Sequence, residues 1–304
     1  MTVRWMLAAA LTSAIALASM VASGVDVLGT KPGYLVFGPS AVPNEQAITR
    51  MIWAPGLDDG YVPQGITVAD GMVLLSAYKS ADPKVGTGPC RVFRIAPETG
   101  AYSGFFDLPA DCGHAGGLTY LGNNSLLVAD TRRLYRIDLR KAFEQRSAQD
   151  AVQSTVRLGG EVKGSFAGFD GTDLWLGVYD KDPGKSKVYR FAVTILDELN
   201  GAGSLTEARA LAAIAVPAEA QGAAFDREGN LWITSSSSRF GMLYKLSPRT
   251  GEKLATYEMV IGIEDIGFDP EGRLWSVSEA GSQRWSRWPQ IFPLVFRLDV
   301  SRLR

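Results

Sequence analysis

The sequence predicts an all-β protein, a five-bladed β-propeller in which an N-terminal strand closes the last blade. Three observations predict it. One tetrapeptide pattern recurs five times, further strand-like segments precede each copy, and the last copy is followed by too few residues for a fourth strand. A six-bladed ring and an antiparallel β-sandwich are the alternatives.

The recurring tetrapeptide is an aliphatic, an aromatic, a basic and then an aliphatic or aromatic residue. The copies are residues 92–95, 134–137, 188–191, 243–246 and 295–298. Their starts lie 42, 54, 55 and 52 residues apart. A period of about fifty residues is typical of a repeated structural unit.

Two strand-like segments precede each tetrapeptide. The nearer one often carries a Leu-Trp pair, as at 174–175, 231–232 and 274–275. The farther one is rich in small residues, which suit a strand at the point where several sheets converge. Turn sequences such as Asp-Arg-Glu-Gly at 226–229 separate the two. A further strand after each tetrapeptide, as at 213–216, completes four strands per unit.

The last unit has only three strands before the chain ends. Residues 48–52 have strand character and precede the first unit, so we expect them to pair with the segment around Phe296. This pairing closes the ring and covers a sheet edge that would otherwise promote aggregation. We expect one propeller domain over residues 46–304, preceded by a lead-in segment at 24–45.

The first residues are typical of an export signal. Arg4 precedes an apolar run over residues 5–22, and small residues follow it. We expect a signal peptide over residues 1–23 and an exported protein, periplasmic or secreted. The alternative is an uncleaved membrane anchor, because the run approaches the length that spans a bilayer.

The near-neutral net charge limits the classes of binding partner that we expect for this protein. The formal net charge is −1, from 31 basic and 32 acidic residues. Such a chain has no field that would attract nucleic acid or an anionic membrane surface. We expect a monomer whose partner is a small polar molecule or a peptide.

One face of the ring carries the candidate site, because convergent polar loops at a concave axis typically bind ligands. We expect His114, Glu264 and Asp265 to be the catalytic candidates, since a histidine near neutrality transfers protons. The residues before the inner strands add Gln64, Ser165 and Gln221 to the ligand-binding candidates. The loops after the second strands add Tyr78, Lys79, Asp130, Arg132, Tyr179, Ser235, Arg239, Glu279, Arg284, Trp285 and Trp288.

The loop at 283–289 is rich in Arg and Trp, residues that are favoured at contact hot spots. It could stack on a sugar, a peptide or a partner, or fold over the rim of the propeller with its tryptophans buried.

The chain resembles two groups of known propellers. Residues 221–232 resemble the repeats of the NHL, gluconolactonase and calcium-dependent phosphotriesterase-like propellers. Pro63-Gln64-Gly65-Ile66 resembles the first-repeat motif of five-bladed glutamine cyclotransferases. In that family a Glu-Gly-Leu-Thr motif carries the catalytic acid, and the matching positions here begin with Gly116 in its place. The resemblance therefore implies the scaffold without that acid.

Calcium is the candidate cofactor. Gluconolactonase-like propellers hold a metal with Glu, Asn and Asp at the channel. Here Glu264, Asp265, Asp130 and Glu279 could supply carboxylate oxygens for calcium, but no Asn occupies these positions. The alternative for Asp265 is that it caps strand ends or pairs with Arg.

The two cysteines, Cys90 and Cys112, lie on the same predicted face. In an exported protein an even pair predicts a disulfide, which here would clamp the loop that carries His114. The alternative is a catalytic thiol.

Two function classes follow. The leading hypothesis is a binding or scaffold module for a small polar ligand or peptide. The competing one is an enzyme of the hydrolase, lyase or cyclotransferase kind that uses His114 with Glu264 or Asp265. Propellers host both classes, so the fold does not decide between them.

Overall fold

The computed structural model describes residues 25–304 and contains five β-sheets. Each sheet is one blade. The innermost strand of every blade contacts the innermost strands of both neighbouring blades, including the pair formed by the first and the last. The chain is therefore a closed five-bladed β-propeller, as predicted, and not a six-bladed ring or a β-sandwich.

The blades are numbered in chain order, and their strands are given from the central channel to the rim. Blade 1 comprises Tyr61–Ala69, Met72–Lys79, Cys90–Ile95 and Tyr102–Asp107; blade 2 comprises Gly117–Gly122, Ser125–Asp130, Arg133–Asp138 and Val152–Arg157. Blade 3 comprises Phe166–Phe169, Asp173–Val178, Lys187–Ala192 and Ala212–Ala215; blade 4 comprises Ala220–Phe225, Leu231–Ser236, Gly241–Leu246 and Lys253–Glu258. Blade 5 comprises Ile263–Phe268, Leu274–Ser278, Leu294–Leu298, Ile48–Trp53 and Val27–Leu28.

Blade 5 is completed by the N-terminal part of the chain. In its antiparallel ladder Met51 lies opposite Phe296, which confirms the predicted closure. Both side chains are buried. Beyond this strand, Val27–Leu28 pairs with it in parallel and forms a fifth strand at the rim. The sequence pattern did not predict this strand, because a segment of two residues is too short to show the alternation that is typical of a strand.

The inner strands need small residues because they nearly touch one another. A Cβ added to Gly117 would lie 2.5 Å from the backbone nitrogen of Ala167 in blade 3. A Cβ added to Gly222 would lie 2.5 Å from the Cα of Asp265 in blade 5. Neither gap admits a side chain, which explains the small residues at these positions.

The Leu-Trp pairs and the acidic turns form one hydrogen-bonded unit. In blades 3, 4 and 5 the indole N–H of the second-strand tryptophan donates to an aspartate at the preceding turn. The pairs are Trp175 with Asp170 at 2.8 Å, Trp232 with Asp226 at 2.9 Å and Trp275 with Asp269 at 3.0 Å. Each contact fixes the inner hairpin of its blade.

The helices are short and lie between strands, except for the last one, which follows the final strand. The α-helices are Leu139–Gln145 and Ile195–Glu198, and the 3-10 helices are Glu45–Ala47, Glu207–Arg209, Gln283–Trp285 and Val300–Arg302. Asp138 caps the first α-helix by accepting a hydrogen bond from the backbone N–H of Lys141 at 2.9 Å.

Within residues 25–304, no helix is both long enough and apolar enough to cross a membrane. The predicted signal peptide, residues 1–23, lies outside the described residues.

Candidate functional site

A cavity of about 310 Å³ lies at the mouth of the channel. The structure brings together there residues that precede inner strands or lie in their first half, and residues at or after the end of second strands. Gln64 and Gln221, which were expected just before inner strands, lie within them. The predicted residues that line this mouth cavity are Gln64, Tyr78, His114, Ser165, Tyr179, Gln221, Glu264, Glu279 and Arg284.

Two buried carboxyl groups face each other in the mouth cavity. Glu264 lies in the inner strand of blade 5, and Glu279 follows the second strand of the same blade. The two side chains are close enough for the charge of Glu279 to raise the pKa of Glu264. Because two like charges at short range repel, a proton on one of the two groups stabilises the pair.

Burial controls the protonation of this carboxyl pair. It raises the pKa of Glu264 well above its usual range, and the charges of Glu279 and Asp265 raise it further. Burial also raises the pKa of Glu279 to about 7, although the Trp285 indole and the charge of Arg284 oppose it. The carboxyl pair therefore retains a proton to a higher pH than an exposed glutamate does.

Two glutamine side chains hold the carboxyl pair in place. The amide of Gln64 donates to Glu279 Oε2 at 3.2 Å and also to the Pro63 carbonyl oxygen at 2.7 Å. The amide of Gln221 donates to Glu264 Oε1 at 3.3 Å. The pair is thus braced from blades 1 and 4.

His114 lies on a loop that Asp130 holds. The Asp130 carboxylate accepts the backbone N–H of His114 at 2.7 Å and that of Ala115 at 2.9 Å. The imidazole stacks on Tyr78 with ring centroids 4.6 Å apart, and its Nδ1 lies 2.8 Å from the Gly86 carbonyl oxygen. Burial lowers the pKa of His114, so the ring is neutral near pH 7 and Nδ1 carries the hydrogen.

The loop after the second strand of blade 5 reaches across to blade 1. Arg284 donates to the hydroxyl of Tyr78 and, at 3.2 Å, to the carbonyl oxygen of Pro83. The rings of Trp285 and Trp288 stack with centroids 4.8 Å apart, and Arg284 lies over Trp285. Both tryptophans are half-buried, so this loop folds over the mouth.

Asp265 does not line the mouth cavity. It is fully buried, and its Oδ2 accepts the backbone N–H groups of Leu118 at 2.9 Å and Ile66 at 3.2 Å. Burial raises the pKa of Asp265 well above its usual range, and these hydrogen bonds oppose the rise. Asp265 therefore joins the inner strands of blades 5, 1 and 2, which corresponds to the predicted capping alternative.

Other predicted ligand-binding residues lie away from the mouth cavity. Asp130 holds the His114 loop instead of facing the cavity. Ser235 is buried and donates to the carbonyl oxygen of Ala218. Arg132 and Arg239 are exposed and do not line the mouth cavity. Trp285 contacts the cavity residues Arg284 and Glu279 without lining the cavity itself.

Two cavity residues, Lys163 and Thr131, were not predicted from the sequence. Lys163 lies two positions before Ser165 on the same loop, so a wider window before each inner strand would have included it. Thr131 directly follows the second strand of blade 2, next to the predicted Asp130 and Arg132. No distinctive motif marks either residue.

The predicted disulfide is not formed in the structure. Cys90 and Cys112 are buried free thiols. The Cys90 thiol donates to the Gly88 carbonyl oxygen at 3.4 Å. The neighbouring Cys90 side chain, together with burial, raises the pKa of Cys112. The two cysteines are thus neighbours that are not covalently linked.

The predicted calcium cage is not assembled either. No cluster of three or more His, Cys, Asp or Glu side chains with a metal-binding arrangement occurs within residues 25–304. Asp130 and the Oδ2 atom of Asp265 instead accept backbone hydrogen bonds, and neither residue lines the mouth cavity. The acidic residues present do not fit a calcium ion, which takes six to eight oxygen ligands.

A larger cavity of about 470 Å³ lies between the lead-in segment and blade 1. Its wall includes Trp53, Phe93 and Phe105. The Arg91 guanidinium lies over the ring of Phe105, and Arg91 also lines this cavity. Among the described residues that line this cavity, none belongs to the predicted site, and none forms a buried carboxyl pair. The mouth cavity is therefore the better candidate site.

Known proteins similar to this chain are remote from it. The sequence matches no protein-family model, and no curated protein matches it at a significant level. Similar solved structures include a protein of unknown function from Bacteroides caccae, with 10% identity, a TM-score of 0.38 and coverage of 62% of this chain and 61% of that one. The luciferin-regenerating enzyme has 13% identity, a TM-score of 0.45 and coverage of 86% of this chain and 95% of that one.

The PQQ-bound aldose sugar dehydrogenase of Streptomyces coelicolor has 15% identity, a TM-score of 0.44 and coverage of 79% of this chain and 80% of that one. The chain thus covers less than two thirds of the first of these structures. Similarity at this level says nothing about activity, and relationship to the NHL and gluconolactonase propellers stays a prediction.

Proposed function

We propose that this protein binds a small polar molecule in the mouth cavity. The observation that carries the proposal is the carboxyl pair of Glu264 and Glu279. Removing two carboxyl groups from water is costly unless other groups compensate, and such groups concentrate at functional sites. Here the pair lies at the concave end of the channel, where ligands typically bind.

The wall of the mouth cavity supports a polar ligand. All five blades contribute hydrogen-bonding groups, and the cavity volume of about 310 Å³ suits a small molecule. Phenols, amides, hydroxyls and a neutral imidazole surround the carboxyl pair. The contributing side chains beyond the pair are Gln64, Tyr78, His114, Thr131, Lys163, Ser165, Tyr179, Gln221 and Arg284.

An enzyme is the second candidate, and the same carboxyl pair favours it. A neighbouring pair of carboxyls with raised pKa values can hold a proton on one group while the other is ionised, which is the arrangement that general acid–base catalysis uses. In this alternative Glu264 and Glu279 are the catalytic groups, and the neutral His114 donates or accepts a hydrogen bond. Asp265 is not assigned a catalytic part, because it does not line the mouth cavity.

The proposal is tested by a thermal-shift screen of sugars, amino acids, short peptides and lactones. We expect at least one class to raise the melting temperature of the wild type, and Glu264→Gln and Glu279→Gln to abolish the shift. Glu228→Gln is the matched control, since Glu228 is exposed on the turn between the first two strands of blade 4. A ligand that stabilises all four proteins equally would place binding elsewhere and contradict the proposal. Appearance of product during incubation would select the enzyme alternative.

We also propose that the protein is exported as a monomer, on the basis of the apolar segment at residues 5–22. Fractionation and N-terminal sequencing of the expressed full chain test this. We expect an exported product that begins at Gly24 and elutes as one chain in size-exclusion chromatography; a retained N-terminus would indicate the anchor alternative.

A further inference from the structure

Acidic and basic side chains line the mouth cavity without forming ion pairs with one another. Glu264 and Glu279 supply the acidic groups, and Lys163 and Arg284 supply the basic ones. Neither cation forms an ion pair with any carboxylate of residues 25–304. The two signs therefore face a common space, in which a ligand that carries both charges would complement them.

Arg284 has an unused donor at this site. Its Nη1 and Nη2 atoms donate to Tyr78 and Pro83, which fixes the plane of the guanidinium. Its Nε atom is buried and has no hydrogen-bond partner among the described residues. A buried donor without a partner costs free energy, and a ligand oxygen would remove that cost.

We propose that the ligand is a small zwitterion with one ammonium group and one carboxylate, such as an amino acid. Its ammonium group binds between Glu264 and Glu279 and replaces the proton that the pair retains. Its carboxylate binds at Arg284 and Lys163. The inference rests on the proposed function and names the ligand class of the same site.

Charge balance supports this class. When the carboxyl pair holds one proton, it carries a single negative charge against the two positive charges of Lys163 and Arg284. When a zwitterion binds and the proton leaves, two negative and two positive protein charges face a ligand of zero net charge. A neutral sugar or lactone would leave the two cations without an anionic partner.

The coupled proton makes binding depend on pH. The groups around the carboxyl pair are Gln64, Tyr78, Lys163, Tyr179, Gln221, Arg284 and Trp285. The charge of Asp265 also acts on Glu264, although Asp265 does not line the cavity. Both tyrosines have raised pKa values and stay neutral near pH 7, because burial disfavours their ionised forms. His114 is neutral as well, so the carboxyl pair is the cavity group that titrates near neutrality. Affinity for an ammonium group should therefore increase as pH rises through this range.

Isothermal titration calorimetry of the full chain tests the inference. The probes are the twenty standard amino acids, then the tightest binder together with its N-acetyl and its carboxamide derivative. We expect each derivative to bind at least about tenfold more weakly, which corresponds to about 1.4 kcal/mol. Titration in buffers of different ionisation enthalpy should show release of about one proton near pH 6 and less above pH 8.

Variants locate the two halves of the ligand. Glu279→Gln should abolish proton release, whereas the exposed control Glu228→Gln should not change it. Lys163→Gln should weaken the amino acid but not its carboxamide, because the carboxamide lacks the charge that Lys163 recognises. Lys163 is half-buried at the mouth, so this variant keeps the test valid if Glu279→Gln fails to fold.

The outcomes separate the inference from the proposed function. Equal binding of the N-acetyl derivative, or binding without proton release, would overturn the zwitterion while leaving the cavity a binding site. Binding of only sugars or lactones, abolished by Glu264→Gln, would do the same. Failure of every probe class to bind would overturn both.

Discussion

The indole N–H of Trp232 donates to Asp226 Oδ2 at 2.9 Å, and the same carboxylate accepts from the Asn230 backbone N–H at 2.8 Å. Lys245 on the third strand adds an ion pair with Asp226 at 3.0 Å. One carboxylate thus links the turn and two strands of blade 4. Blades 3 and 5 repeat the aspartate–tryptophan contact.

Asp226→Ala should destabilise the protein by about 2 kcal/mol, because it leaves the buried indole N–H without an acceptor. Urea unfolding measures this, and Glu228→Ala on the same turn should change stability by less than about 0.5 kcal/mol. Equal effects of the two variants would contradict the structural role of this carboxylate.

The contribution of Asp226 should depend on acidity. Burial alone would raise its pKa, but hydrogen bonds from Trp232, Asn230 and Lys245 lower the pKa to about 2. Because this folded-state pKa lies below the usual value of 3.8, the stabilisation is present above about pH 4 and is lost as pH falls towards 2. The stability difference between the wild type and Asp226→Ala should shrink over that interval in acid titrations.

The contribution of Glu279 to stability should depend on pH in the opposite sense to that of Asp226. Its folded-state pKa of about 7 lies above the ordinary 4.5, so it binds a proton more tightly in the folded state. Its contribution to the free energy of unfolding is therefore present below about pH 4.5 and is lost as pH rises to about 7, by up to about 1.4 kcal/mol per pH unit. Glu279→Gln should flatten this slope in urea unfolding curves, and an unchanged slope would argue against a protonated pair.

His114 should take up its proton at a lower pH than an exposed histidine does. Burial lowers its pKa, and the Gly86 carbonyl oxygen accepts the Nδ1 hydrogen. Nitrogen-15 NMR of the untagged protein should report a titration midpoint below 6.5 and the Nδ1–H tautomer in the neutral form. The chain has a single histidine, so the signal needs no assignment. A midpoint above the ordinary value would contradict the effect of burial.

Closure of the ring should depend on the packing of the N-terminal strand. Ile52 is fully buried between blades 5 and 1, opposite Val295. Ile52→Ala should therefore cost about 2–5 kcal/mol, measured by urea unfolding. Val85→Ala removes an exposed aliphatic side chain and should have little effect. A small loss at Ile52 would indicate that blade 5 is stable without this strand.

The two thiols should be unreactive in the folded protein. Both are buried, and the raised pKa of Cys112 disfavours its thiolate. Alkylation followed by mass spectrometry should modify neither thiol before unfolding and both after it. One covalently linked pair in the unfolded chain would restore the disulfide that the sequence predicted.

The sequence determined the blade architecture because repetition is a local property of the chain. Five tetrapeptides at a nearly fixed period were enough to count the blades, and the unpaired segment around Ile48 was enough to predict closure opposite Phe296. Nine predicted residues, among them Gln64, Glu264 and Glu279, do line the mouth cavity, since position along a repeat sets the end of the blade at which a residue lies.

Only the tertiary structure decided what each polar side chain does. Asp265 and Glu264 are adjacent in sequence and lie where the pairing of the inner strand is irregular, yet Asp265 ties the inner strands together and Glu264 lines the cavity beside Glu279. The distance between Glu264 and Glu279, and with it the proton that the pair retains, depends on how blade 5 packs in the ring. Burial and side-chain direction result from contacts between blades that are remote in sequence, and a linear pattern does not encode these contacts.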